Sequence, residues 1–354
     1  MTAKRRRHPV RAVAIVVAVL AALELAGRLA GMPALPHDTT FVEAPEWSYP
    51  DQIARDHDLF WRYRPDQVIR GDFFVPGAYT INSQGFRTTE YSEMKPADVM
   101  RVVCLGDDNV FGTGVADGAP WPRVLERELN ARDPEKRRWE VLNLGVTNYS
   151  AYQGAILAER ELPRLHPDYV LFEFSWADHQ PAGYGIPDHQ LRLSATWRLQ
   201  TGDFLDRLAI VRWGYRLWET IAPEPVDSLP DYPVWRVPST EYTSNIERIC
   251  RAATQAGARP VLVTSPIAWP PPGYTDTTGV FHYHHRYRRL GRFSAIAAGA
   301  QFVELANAFD QHPEFYDDRR RDFRHFNARG HAFAGEFLAR HLLGLPNDGA
   351  TTDR

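Results

Sequence analysis

The chain has only two cysteines in 354 residues, Cys104 and Cys250, so neither a disulfide framework nor a four-thiolate zinc site can hold it together. An excess of charge of one sign is missing too. Forty-one Lys and Arg stand against 44 Asp and Glu, a formal charge of -3, which offers no uniform field to a polyanion and argues for no nucleic acid partner. No internal repeat is visible. What is present is a globular balance, 44% apolar and 24% charged, enough for one large or two ordinary domains with a real core.

Lys4, Arg5, Arg6, Arg7 and Arg11 precede an uncharged apolar run from Ala12 to Leu23, and Glu24 and Arg28 interrupt the apolar stretch that continues to Ala30. As a helix, 12–30 reaches roughly 28 Å at ~1.5 Å per residue, close to the hydrocarbon thickness of a bilayer. Glu24 and Arg28 lie four apart and can pair on one face near the outer boundary. The reading is a transmembrane signal anchor, with the basic residues 1–11 in the cytoplasm and the main domain outside the cell membrane, periplasmic or extracellular. A cleaved signal peptide fits the core of the run nearly as well, though no clear small-x-small site follows. A linker is expected over 31–60 and a small β-rich appendage over 61–99.

From residue 100 onward, short β-rich runs alternate with helical patterns. Val102–Leu105, Val141–Leu144, Tyr169–Phe174, Val261–Thr264 and Phe302–Leu305 read as strands, and a closing helix is expected over about 328–343. The spacing predicts an α/β fold, a doubly wound five-stranded parallel sheet over 100–345, with functional groups on loops after the carboxyl ends of the strands. The alternation lapses over 180–240, where an insertion carries Phe204, Leu208, Val211, Tyr215 and Trp218 on one helical face. That stripe reads as packing against the main domain, or as a wall of the site. Residues 346–354 read as a disordered tail.

Two stretches carry residues suited to chemistry. At the end of the first sheet strand, Leu105-Gly106-Asp107-Asp108-Asn109 forms a Gly-bearing turn that presents Asp108. Near the C-terminus, Asp322-Phe323-Arg324-His325 sets a carboxylate three residues before an imidazole, the right reach to fix its tautomer and stabilise its cation. These pieces, in this order, resemble the SGNH or GDSL hydrolases. The stretch from Tyr79 to Arg87 also resembles the segment that precedes the hydrolase domain in membrane-tethered bacterial members.

The resemblance implies the flavodoxin-like SGNH fold, no cofactor and no metal, and O-acyl ester hydrolysis or acyl transfer on carbohydrate or lipid. It also assigns Asp322 and His325 as orienting acid and base. Gly106 and Asp107 match the nucleophile block, and Gly145 matches the second block. The family's nucleophilic Ser is replaced by Asp108 and its oxyanion Asn by Ala177, so the oxyanion-hole positions are 108, 145 and 177, with Asp107 and Asn148 in support. An ionised Asp has no proton for His325 to remove, and it would repel a developing oxyanion. The expected function is a non-hydrolytic or strongly altered homologue that binds a cell-envelope carbohydrate or lipid ligand. Two alternatives stand beside it: an active hydrolase or acyltransferase with Asp108 as nucleophile or base, and a scaffold in an envelope assembly.

Other residues read more plainly. His282, Tyr283, His284 and His285 are expected at a solvated helix start, Ser83, Ser175 and Ser265 lack the sharp turn of a nucleophile, and Cys104 and Cys250 read as separate buried thiols. Arg319, Arg320 and Arg321 read as a solvated charge run.

Overall fold

The computed structural model describes residues 9–30, 52–71, 77–182, 186–194, 208–221, 234–268, 279–310, 312–317 and 322–346. Phe204, the run Arg319–Arg321 and residues 347–354 of the expected tail lie outside these, as do the side chains of Tyr215 and Trp218. Five strands form one parallel sheet: β5 (Val99–Gly106), β6 (Arg138–Asn143), β7 (Tyr169–Glu173), β8 (Arg259–Val263) and β9 (Gln301–Val303), in the order β6-β5-β7-β8-β9. Chain order reverses at β5, which opens a crevice at its carboxyl end between β6 and β7.

Side-chain alternation divides the core between the two faces of the sheet. Val103, Leu105, Leu142, Val170, Phe172 and Leu262 join one buried cluster, and Val102, Cys104, Val141, Leu171, Val261 and Val263 join the other. Helices α4 (Ala151–Leu165), α7 (Ser239–Gln255) and α8 (Val280–Ala297) contribute to the first, and α3 (Trp121–Arg132) and α10 (Ala328–Leu342) to the second. Helices therefore cover both faces, as the doubly wound expectation requires. Both cysteines are buried free thiols, Cys104 in β5 and Cys250 in α7.

The β-rich segment ahead of the sheet starts before the expected residue 61, inside the stretch expected as linker, and folds as two antiparallel pairs, β1 (Ile53–Asp56) with β2 (Phe60–Tyr63) and β3 (Gln67–Gly71) with β4 (Gly77–Ile81). It shares the first core cluster through Trp61, Tyr63, Ile69 and Tyr79. Tyr63 Oη and Thr147 Oγ1 are hydrogen-bonded at 2.6 Å, Gln153 Nε2 donates to Leu59 O at 2.7 Å, and the Tyr149 hydroxyl donates to Trp61 O. It is tied down further by Arg87, only 3% exposed. The guanidinium donates to Phe111 O at 3.2 Å, Gly112 O at 2.5 Å and Val115 O at 2.6 Å, and pairs with Asp117 at 3.0 Å.

The N-terminal apolar stretch is one helix, α1 (Pro9–Leu29), and it is long and apolar enough to cross a bilayer. Arg28 Nε donates to Glu24 Oε1 at 2.7 Å. From the insertion, α5 (Asp188–Ser194) and α6 (Ala209–Ile221) are described, and α6 lies against α1.

Candidate active site

The turn after β5 becomes a single helical turn, α2 (Asp108–Phe111), capped by Asp107. A Cβ at Gly106 would come within 2.2 Å of Val110 Cγ2 and 2.7 Å of Glu173 O, so only glycine lets the strand turn so tightly beneath residue 108. The α2 start aims Asp108 into the crevice, where it is 2% exposed. On the far side, Ala268 N donates to Phe323 O, and the Asn327 side chain caps α10 by accepting from Arg329 N and Gly330 N. Those two fixings hold the loop that carries Asp322 and His325.

The sequence-predicted pair is formed: His325 Nδ1 lies 2.9 Å from Asp322 Oδ2, and His325 N donates to Asp322 Oδ1 at 3.0 Å. His325 Nε2 lies 3.6 Å from Asp108 Oδ1, bringing the three triad positions together. Arg324 stands among them. Its Nη2 is 3.1 Å from Asp108 Oδ2, while Nη2 and Nε point at His325 Nε2 from 2.8 and 3.1 Å. A guanidinium only donates, so in the neutral ring Nε2 accepts and the imidazole proton sits on Nδ1, toward Asp322. Arg324 thus holds the ring nitrogen that a nucleophilic hydroxyl would need.

Thr113 Oγ1 donates to Asp108 Oδ1 at 3.3 Å and Asn148 N to Asp108 Oδ2 at 3.0 Å. Burial opposes the charge on Asp108, but Arg324, His325 and the Asn148 N–H outweigh it and hold the carboxyl well below the usual range. Burial and Arg324 oppose a proton on His325, yet Asp108 and Asp322 prevail and raise its pKa above the ordinary value.

Gly145, expected as a backbone donor to the site, instead gives its N–H to Asn143 Oδ1 at 3.0 Å. A Cβ there would meet Phe111 N at 2.5 Å, so its glycine serves the close approach of α2. The N–H that reaches residue 108 belongs to Asn148, which holds a left-handed φ of 57°. Arg236 secures that loop: Nη1 donates to Asn148 O at 2.9 Å, and Nη2 pairs with Asp188 Oδ2 at 3.2 Å, both side chains 1% exposed. Ala177 opens a short 3-10 turn, Ala177–His179; it is fully buried and has no side-chain amide to offer. Beside it Asp178 accepts from Ala151 N at 2.7 Å, and burial pushes its carboxyl up to about 8.

Sequence reasoning missed a buried acid pair beneath the site. Burial and the charge of Asp108 push Asp107 up to about 7, and burial and the charge of Asp107 push Glu173 up to about 8. Glu173 Oε1 accepts from Asn109 Nδ2 at 3.3 Å. A carboxylate closing the otherwise apolar strand Tyr169–Glu173 was the signal that could have found it.

The expected solvated His cluster is corrected at one position. His282 is exposed, but the period of α8 turns Phe281, His284 and Tyr287 inward, and His284 is fully buried. Its Nε2 lies 2.9 Å from Ser265 O, and its Nδ1 lies 3.3 Å from Ser175 Oγ and 3.4 Å from His179 Nε2. Among the described residues, no group of three or more His, Cys, Asp or Glu is placed to hold a metal ion.

With that geometry in view, comparison with known proteins is decisive on one point. A model described as the GDSL-like lipase/acylhydrolase family matches residues 104–333, more than half of the chain. The chain belongs to the GDSL-like lipase/acylhydrolase family. Solved structures similar to this GDSL-like chain include LAE5, an alpha/beta hydrolase enzyme from the metagenome of Lake Arreo in Spain (19% identity, 71% of this chain and 98% of that one, TM-score 0.45). The lipase/acylhydrolase from Enterococcus faecalis is similar at 14% identity, over 71% of this chain and all of that one (100%), with a TM-score of 0.44. Axe2, an acetylxylan esterase from Geobacillus stearothermophilus, is similar at 14% identity, over 69% of this chain and 93% of that one, with a TM-score of 0.44. No curated protein matches the chain.

Proposed function

We propose that this GDSL-like protein is a membrane-anchored, extracytoplasmic, non-hydrolytic member of its family that binds a carbohydrate or lipid ligand of the cell envelope. The observation that carries the reading is Asp108 at the nucleophile position, ionised and engaged by Arg324, Asn148 N–H and Thr113. Such a group has no proton for His325 to take. Its charge also stands where a tetrahedral oxyanion would form, and Ala177 offers no side-chain donor in compensation. A cleft of about 730 Å³ beside Arg87, with Thr80, Asn82, Glu90 and Arg123 set among a mostly apolar lining that includes Val68, Ile81 and Pro120, has the size of a small-ligand site. The N-terminal helix supports the anchor, since its apolar side chains are exposed along most of its length. The test is hydrolysis of p-nitrophenyl acetate by the full-length protein in detergent. The rate is expected to equal that of its own His325→Ala variant, and a His325-dependent rate overturns the reading.

One observation favours a second reading. The Asp322–His325 pair is intact, with Nε2 3.6 Å from Asp108 Oδ1. In that case an Asp108 oxygen attacks an alkyl carbon, the bond to the leaving group breaks with its electron pair, and His325 then takes a proton from the water that hydrolyses the new ester. A covalent adduct on Asp108 that accumulates in His325→Ala would establish it.

A further inference from the structure

Glu24 is an acid within an apolar helix, and its partners go beyond Arg28. Its Oε2 accepts from Ile210 N at 3.1 Å, so it caps the first turn of α6 (Ala209–Ile221). Three residues on, Gly27 lets α6 close in: a Cβ there would meet Ala209 Cβ at 2.6 Å and the Trp213 indole nitrogen at 3.3 Å. This pairing of small residues brings two helix backbones together as it does inside membranes. The tie lies at the end of α1 remote from the basic cluster. Trp213 and Leu217, four apart on one face of α6, are 56% and 63% exposed, and Leu25 and Leu29 at the same end of α1 are 59% and 80% exposed.

We propose that α6 is a second membrane-contacting element, lying in the headgroup–acyl boundary of the outer face of the bilayer that α1 crosses. The inference rests on the anchor reading of α1, against whose outer end α6 packs while both helices keep apolar side chains exposed there. A helix held at the end of a spanning segment, with an indole at that level and a leucine one turn further on, has the form of an interfacial element. It would fix the main domain to the lipid surface at two points, so the crevice above Asp108 would keep one orientation toward the bilayer.

The test uses full-length protein in phosphatidylcholine–phosphatidylglycerol liposomes, spin-labelled singly through Leu217→Cys, Trp213→Cys, Val17→Cys or Met94→Cys. Cys104 and Cys250 are buried, and unsubstituted protein gives the background. Contrasting relaxation by oxygen and by a water-soluble nickel chelate reports depth. The labels at 217 and 213 are expected on the lipid side of the phosphates, about 5–10 Å deep, with 17 deeper and 94 in water. Because the substitution at 213 disturbs the contact with Gly27, 217 is the deciding position. If 217 is as water-accessible as 94 while 17 is deep, the proposal fails and the anchor stands. If 17 is also in water, the anchor fails and the proposal with it. Dipolar broadening at 217 that persists on dilution with lipid would show a second copy on this face, which also overturns it.

Discussion

If Asp108, Ala177 and Arg324 together account for a silent site, esterase activity should recover in full only when all three are changed. Asp108→Ser supplies a hydroxyl and relieves Asn148 N–H of its carboxylate acceptor, so one backbone donor can meet an oxyanion. Ala177→Asn restores a second donor, worth ~10² to 10³ in rate. In the double variant, however, Arg324 has lost its carboxylate and still aims two donors at His325 Nε2 from 2.8 and 3.1 Å. The introduced hydroxyl must displace a charge-assisted hydrogen bond worth about 1.5–3 kcal/mol. At about 1.4 kcal/mol per decade, that withholds the base by ten- to a hundredfold or so. Adding Arg324→Gln is therefore expected to raise kcat/KM for p-nitrophenyl acetate about ten- to a hundredfold above the double variant, with each change worth more in the presence of the others. Fluorophosphonate labelling of the new serine should follow the same order. A double variant as fast as the triple refutes the role given to Arg324. A folded triple variant that remains inert refutes the claim that these three residues are what separates the site from an active one.

The remaining predictions concern what supports the site. Glu173 has its pKa raised to about 8, so the folded state holds a proton that the unfolded chain releases near the ordinary ~4.5; the associated stability is complete below that value and is lost as pH rises through 8. Glu173→Gln should therefore be more stable than wild type at pH 8, by about 1–3 kcal/mol after the coupling to Asp107 is shared, with the advantage vanishing at pH 5; thermal melts that show the same pH slope in both proteins contradict this. Asp188→Asn breaks the buried pair with Arg236 and should cost about 3–5 kcal/mol, measured by thermal unfolding; a loss below about 1 kcal/mol would mean that Arg236 finds other compensation. Gly145→Ala drives a methyl against Phe111 N, so it should lower the melting temperature and displace α2, and an unchanged melting temperature would argue against the close approach.

The sheet was legible because its strands alternate with helical periods, and buried parallel strands read as short apolar runs. Asp108, Asp322 and His325 were legible because a Gly-bearing turn and a three-residue spacing fix where those groups go. Arg324 was not, although it adjoins His325. Spacing says that a side chain is near a site but not that a loop pinned at Phe323 O and Asn327 turns it inward. Gly145 misled for a related reason: a glycine in a motif suggests an exposed N–H, whereas here the missing Cβ makes room for α2 and the donor lies three residues later at Asn148. His284 misled because a run of histidines reads as polar, yet helical period sets which of them faces the core. The contact of Glu24 with Ile210 joins residues far apart in the chain, and no local pattern announces it.

Arg87 has a consequence for how the site comes into being. The family match begins at residue 104, yet the three carbonyls that Arg87 binds follow the nucleophile position, at Phe111, Gly112 and Val115. The clamp on the turn that follows Asp108 therefore comes from outside the matched region, and a fragment trimmed to 104–333 would leave those carbonyls to water and the turn less constrained. In synthesis the order works in the chain's favour. If the N-terminal helix inserts first and the rest follows across the membrane, Arg87 has already emerged when the turn it closes arrives, so the template for the turn precedes the turn itself.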